Sequence, residues 1–183
     1  MNKGFLKQMK AVIQKSIKNN YAILTGRTEE HLLPFNSFML HSEIIDPFEK
    51  LQELAKKEIG ADLQIISSFR AFDRQLTIWN EKALGIRKIK NDQGKILDPG
   101  TLSPDELLHA ILRFSAIPGT SRHHWGCDID IYDANEMHRS EVQLEHSECT
   151  NGGAFFKLHN WLDKKILAGE ALGFYRPYAH DLG

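Results

Sequence analysis

Apolar residues recur at helical spacing in five stretches of this chain. Phe5, Met9, Val12, Ile13 and Ile17 predict an amphipathic helix over residues 4–19, ended by Asn19-Asn20, with its lysines on a solvated face. Asp46-Pro47-Phe48-Glu49 reads as an N-cap, a proline at the first helical position and an acid three residues after the cap. Phe48, Leu51, Leu54 and Ala55 then share one face, and Gly60 closes that helix. A further helix is expected after Arg70, carrying Leu76, Trp79 and Ala83 to Gly85. Ser103-Pro104-Asp105-Glu106 repeats the capping pattern ahead of Leu107, Leu108, Ile111 and Leu112. The last helix runs from Ala154 to Leu167, with Phe155, Leu158, Leu162 and Ile166 on one stripe.

The remaining order has a period of two or is set by turn residues. Asp62 to Ser67 alternates enough for a short strand, and residues 86–100, with Asn91-Asp92-Gln93-Gly94 and Asp98-Pro99-Gly100, predict a loop or small hairpin. From Cys127 to Tyr132 the alternation puts Cys127, Ile129 and Ile131 on one strand face and Asp128, Asp130 and Tyr132 on the other. Helices and short strands interleave without a regular βαβ rhythm. That predicts an α+β fold with a small antiparallel sheet flanked by helices, most simply one domain over residues 1–183.

Composition removes several classes of partner. With 23 basic and 24 acidic residues, the chain has no net field to attract nucleic acid or an anionic membrane. Cys127 and Cys149 are too few for a disulfide framework, and whether they form one bridge is open. Lysines interrupt the N-terminal stretch and no run approaches the ~20 apolar residues of a membrane span. The expectation is therefore no secretory signal, no membrane span and a cytoplasmic protein, with the cell envelope as the alternative.

The chemistry concentrates in Ser121-Arg-His-His-Trp-Gly-Cys-Asp-Ile-Asp-Ile-Tyr-Asp133. A structural strand has little use for Asp128 and Asp130 between apolar neighbours. Six residues separate His123 from Asp130, too many for neighbours on a helix or straight strand, but Gly126 permits a turn that folds one toward the other. An imidazole and a carboxylate brought together suit zinc, whose catalytic sites use three protein ligands and an open position. The spacing alone leaves a second reading open, in which both aspartates are acids at a loop end.

Ser121-x-His123-x-x-Gly126-x-x-x-Asp130 resembles the first zinc motif of the VanY-type D-alanyl-D-alanine metallopeptidases. "SSFRAFDRQLTIWNEKA", "ILRFSAIPGTSRHHWGCDIDIYD" and "GGAFFKLHNWLD…GFYRPYAHDLG" look like successive blocks of that family, covering most of the chain from about residue 60. The resemblance implies a D-Ala-D-Ala metallopeptidase or hedgehog-like fold and a zinc-dependent carboxypeptidase acting on peptidoglycan stem peptides ending in D-Ala. His123 and Asp130 would be zinc ligands. Arg70 would stabilise the developing oxyanion, and Ser121 and Gln75 would contact substrate. The bland readings beside these are a structural ion pair for Arg70, a turn cap for Ser121 and a helix-surface glutamine for Gln75. His124 is expected to pack outward. Where the family carries a small residue this chain has Asp128, a competing oxygen ligand.

In this family a late Glu-x-x-His segment supplies the general base and the third zinc ligand. The one Glu-x-x-His here, Glu106-Leu-Leu-His109, sits in a helix before the first motif, where Glu106 is better explained as a capping acid. His180 lacks a glutamate three residues earlier. The missing pair is expected beyond Gly183, and these residues alone are expected to be inactive. Two other readings stand beside the carboxypeptidase: an endopeptidase cutting L-Ala–D-Glu, and a noncatalytic zinc-stabilised or wall-binding domain.

Overall fold

The computed structural model describes residues 20–177, so the helix expected over residues 4–19 and His180 lie outside it. Residues 20–24 are helical, past the expected stop at Asn19-Asn20. In chain order the elements are β1 (Leu32–Phe35), β2 (Phe38–His41), α1 (Ile45–Ile59), β3 (Leu63–Ser67), α2 (Phe72–Ala83), β4 (Ile89–Lys90), β5 (Ile96–Leu97), α3 (Pro104–Leu112), β6 (Asp130–Asp133), α4 (His146–Cys149) and α5 (Phe156–Leu167). The architecture is α+β, as the interleaving predicts, with strands in three two-stranded antiparallel sheets. The chain forms two compact units. The first takes in residues 20–31 and 70–125 and the second residues 32–69 and 126–177.

The second unit holds a core in which Phe48, Leu51 and Ala55 of α1 meet Leu63 and Ile65 of β3 and Leu158 and Leu162 of α5. Each fully buried Leu or Phe here contributes about 1.5–3 kcal/mol relative to exposure, so the α1 stripe outweighs any capping term. Helix α1 starts differently from expectation. Its N-cap is Ile44, with no side-chain cap, and a 3-10 turn over Ser42–Ile44 feeds into it. Asp46 and Pro47 fall inside the first turn, where Pro47 lacks only an N–H that would be orphaned anyway and Asp46 meets the positive helix end. At the other end Gly60 takes φ 69° and its N–H bonds the Lys56 carbonyl at 3.0 Å. The β1–β2 hairpin has no counterpart in the periodicity reading. Its strands are four residues each, β1 contains Pro34, and the turn passes through Asn36 at φ 51°.

Strand β6 begins at Asp130, shorter than the alternation suggests, and pairs with β3. The face expected to be polar is partly covered: Tyr132 is 6% exposed and meets Phe155 edge to face at 6.2 Å, while Ile129 and Ile131 pack on the main core. Also in this unit, Arg176 Nη2 lies 2.8 Å from His159 Nδ1, and the Cys149 thiol lies 3.3 Å from His159 Nε2. Arginine can only donate, so Nδ1 accepts and the neutral ring carries its proton on Nε2. Burial, helped by the Arg176 charge and opposed by Asp163, pushes the His159 pKa down to about 4.

The sign follows directly. A depressed histidine makes the unfolded chain the better proton binder, so stability present above pH 6.5 is lost as pH falls toward about 4. The full loss is about 3 kcal/mol. Urea unfolding of the parent and of His159→Gln at pH 7 and pH 4.5 checks this, with the smaller pH dependence expected for the variant.

The first unit contains α2, the β4–β5 hairpin and α3. The hairpin pairs Ile89 with Leu97, and the Asn91 side chain accepts from the N–H groups of Gln93 and Lys95 to shape the turn. At α3 the capping box is present: the Ser103 hydroxyl accepts from the Glu106 N–H, and Glu106 accepts from the Ser103 N–H at 2.8 Å. The buried face of α3 is narrower than predicted, since Ile111 is buried whereas Leu108 and Leu112 are exposed. Cys127 and Cys149 form no disulfide.

Candidate active site

In the second unit, the β3–β6 ladder fixes Asp130. The register runs from Leu63 opposite Asp133 to Ile65 opposite Ile131, then shifts so that Ser67 lies opposite Asp130. A bulge at a strand end re-aims the residues that follow it, and here it falls where β3 ends and β6 begins. Asp128 lies ahead of the ladder, so the two aspartates differ in how firmly the backbone holds them. Gly126 sits at φ 73°, and its carbonyl accepts from the His41 N–H at 2.8 Å. A Cβ there would lie 2.3 Å from Leu32 Cδ2 and 3.0 Å from the His41 nitrogen, so both the turn and the close approach require glycine.

The first unit assembles the groups around Arg70. The Arg70 N–H donates to the His123 carbonyl at 3.0 Å, joining the start of the α2 segment to the histidine motif. Arg70 Nη1 donates to Gln75 Oε1 at 2.9 Å, and Gln75 Nε2 donates to the Ala116 carbonyl at 2.6 Å. Gln75 is 0% exposed, which corrects the reading of a helix-surface glutamine. It is the buried residue of α2, while Leu76, expected on the buried face, is exposed. The amide orients the guanidinium without adding a charge. Ser121 is buried where the 3-10 turn Arg122–Trp125 begins, and its carbonyl accepts from the His124 N–H at 3.1 Å.

His124 does not pack outward. It is fully buried, with Nδ1 2.6 Å from the Arg70 carbonyl and Nε2 accepting from the Gly119 N–H at 3.0 Å. Its ring stacks on Phe72 at 6.5 Å, and burial holds its pKa below the ordinary histidine value. Pattern reading missed this residue. The signal was the doubled histidine, since only one imidazole of an adjacent pair belongs to the motif.

The structure therefore brings together Arg70, Gln75 and the backbone of His123 within the first unit, where Ser121 also lies, while Asp130 belongs to the second. Glu106 stays in its capping box and His109 is exposed, so that Glu-x-x-His forms no site. His123 in the first unit offers an imidazole and Asp130 in the second a carboxylate, each a donor type that zinc accepts. Among the described residues no group of three His, Cys, Asp or Glu side chains is placed to hold an ion.

Helices and small antiparallel sheets in an α+β arrangement, with Asp130 on β6, make up the described residues. Two solved structures share that fold: VanYB in complex with D-alanine-D-alanine, and a mutant of the vancomycin-resistance D,D-pentapeptidase VanY from a VanB-type cassette in complex with Zn(II). Each superposes with a TM-score of 0.53 at 22% identity, covering 80% and 85% of this chain. The matched parts are 65% of the first structure's chain and 72% of the second's. The sequence profile of VanY, D-alanyl-D-alanine carboxypeptidase, matches residues 37–182, and the chain belongs to that family. An uncharacterized protein of Haemophilus influenzae is 41% identical over 100 residues, 52% of this chain and 68% of its own length. A second from the same organism is 41% identical over 51 residues, 27% of this chain and 39% of its own.

Proposed function

We propose that this chain is a zinc-dependent D-alanyl-D-alanine carboxypeptidase acting on peptidoglycan-derived peptides that end in D-Ala. The observation that carries the reading is the Arg70–Gln75 clamp at 2.9 Å, built on a fully buried amide in a VanY-family chain. A guanidinium held from one side keeps a rigid fork of donors, the form suited to charge that develops on a carbonyl oxygen. His123 and Asp130 are the proposed zinc ligands, and the buried Gln75 acts through Arg70, with Ser121 opening the turn that carries His123. Zinc, when bound, supplies a Lewis acid and lowers the pKa of water. Arg70 then binds and orients the scissile carbonyl, and Gln75 keeps Arg70 in register.

On this reading a Glu-x-x-His segment supplies the general base and the third ligand. The test is D-Ala release from a stem peptide ending in D-Ala-D-Ala. The 183-residue chain is assayed beside the same chain extended by such a segment, with zinc added to both. Release by the extended chain alone is expected. Equal release by both would put the base within the 183 residues, and cleavage only between L-Ala and D-Glu would make the protein an endopeptidase. If a folded, zinc-loaded extended chain binds the peptide without cutting it, the protein is a noncatalytic binding domain.

A further inference from the structure

Resting on the reading of Arg70 as the oxyanion donor, we propose that His124 is the positioning residue that sets the Arg70 backbone, acting as a neutral imidazole protonated on Nδ1. The tautomer follows from the partners. The Gly119 N–H can only donate, so Nε2, 3.0 Å away, must carry a lone pair. The Arg70 carbonyl can only accept, so Nδ1, 2.6 Å away, must carry the proton. With both nitrogens engaged by backbone and the ring 0% exposed, His124 is neither a metal ligand nor a general base.

The ring joins three segments of the first unit. Gly26 lies against it at φ 69°, and a Cβ at that position would fall 2.4 Å from Nδ1. The Gly26 carbonyl accepts from the Phe72 N–H at 2.9 Å, and Phe72 stacks on the imidazole. The Arg27 guanidinium lies 3.5 Å from the centroid of the Phe72 ring. Gly119 then ties the loop that leads to Ser121. A long side chain is aimed only when its base and its tip are both fixed. Gln75 holds the tip of Arg70, and His124 holds its carbonyl.

Two amides separate the two bonds. Asn at position 124 places its amide nitrogen near the position of Nδ1, keeping the donor to Arg70 and losing Gly119. Gln reaches the position of Nε2 and can accept from Gly119 while losing Arg70. In the chain carrying the Glu-x-x-His extension, His124→Gln is expected to lower kcat by about 10- to 100-fold with KM little changed, the scale of a misplacement near 1 Å. His124→Asn is expected to stay within a few-fold of the parent. Losses in the opposite order, or equal losses that track Tm, would overturn the proposal.

A second readout needs no activity. Long-range proton–nitrogen NMR of the full chain at neutral pH should show one imidazole with a protonated Nδ1 and a bare Nε2, the signal missing in His124→Asn. A protonated Nε2 there would overturn the proposal even if neither variant folds. An inactive parent with the expected NMR signature would instead remove the functional reading and leave the His124 geometry standing.

Discussion

His123→Ala and Asp130→Ala are each expected to lose zinc by more than the roughly 10- to 100-fold that outer-shell changes typically cost, because each removes a proposed direct ligand rather than its support. The measurement is zinc content after dialysis against a weak chelator, compared with a parent of the same length. The two donors differ in how the chain holds them. His123 lies in the 3-10 turn Arg122–Trp125, its carbonyl engaged by the Arg70 N–H. Asp130 is pinned opposite Ser67 at the shifted end of the β3–β6 ladder. Asp128 precedes the ladder, so Asp128→Ala should cost less zinc than Asp130→Ala. A larger loss for Asp128 would make it the ligand and leave Asp130 a strand-end acid. Full zinc retention in both His123→Ala and Asp130→Ala would sink the pair altogether. The proton linkage adds a control, since a zinc-bound imidazole and carboxylate must be deprotonated and binding should weaken as pH falls.

How much of this was legible in the sequence depends on whether the cause is local. The capping box at Ser103 and Glu106 and the closure at Gly60 are decided within a few residues, and both stand as read. The α1 start is also local but went to a competing device, a 3-10 turn that hands over to the helix two residues before Pro47. The bulge at Ser67 could not be read, because the count of residues against a partner strand is set by that partner. Burial of Gln75 and His124 was hidden for a related reason. A polar side chain enters a core only where other backbone supplies its hydrogen bonds, here Ala116, Gly119 and the Arg70 carbonyl. The motif suggested a chemistry, and the residues packed around Arg70 and His124 come from segments as far away as Gly26.

Arg70→Lys is expected to lower kcat by about 100- to 1,000-fold while KM changes little, the cost typical of losing one oxyanion donor. Lysine keeps the charge and loses the planar fork, and an ammonium cannot both reach Gln75 Oε1 and present a second fixed donor to a substrate oxygen. Gln75→Leu tests the same geometry from the other side. It keeps Arg70 intact, removes the 2.9 Å bond that orients it, and leaves the Ala116 carbonyl without its partner at 2.6 Å. That unsatisfied carbonyl costs about 1–3 kcal/mol of stability, so Gln75→Leu should lower both Tm and kcat, whereas Arg70→Lys should lower kcat chiefly. If Arg70 instead served a structural ion pair, the pattern would invert, with stability falling in Arg70→Lys and kcat holding near the parent value. The comparison of the two variants by kcat and Tm in one chain carrying the Glu-x-x-His extension decides between an arginine that faces chemistry and one that only holds the fold.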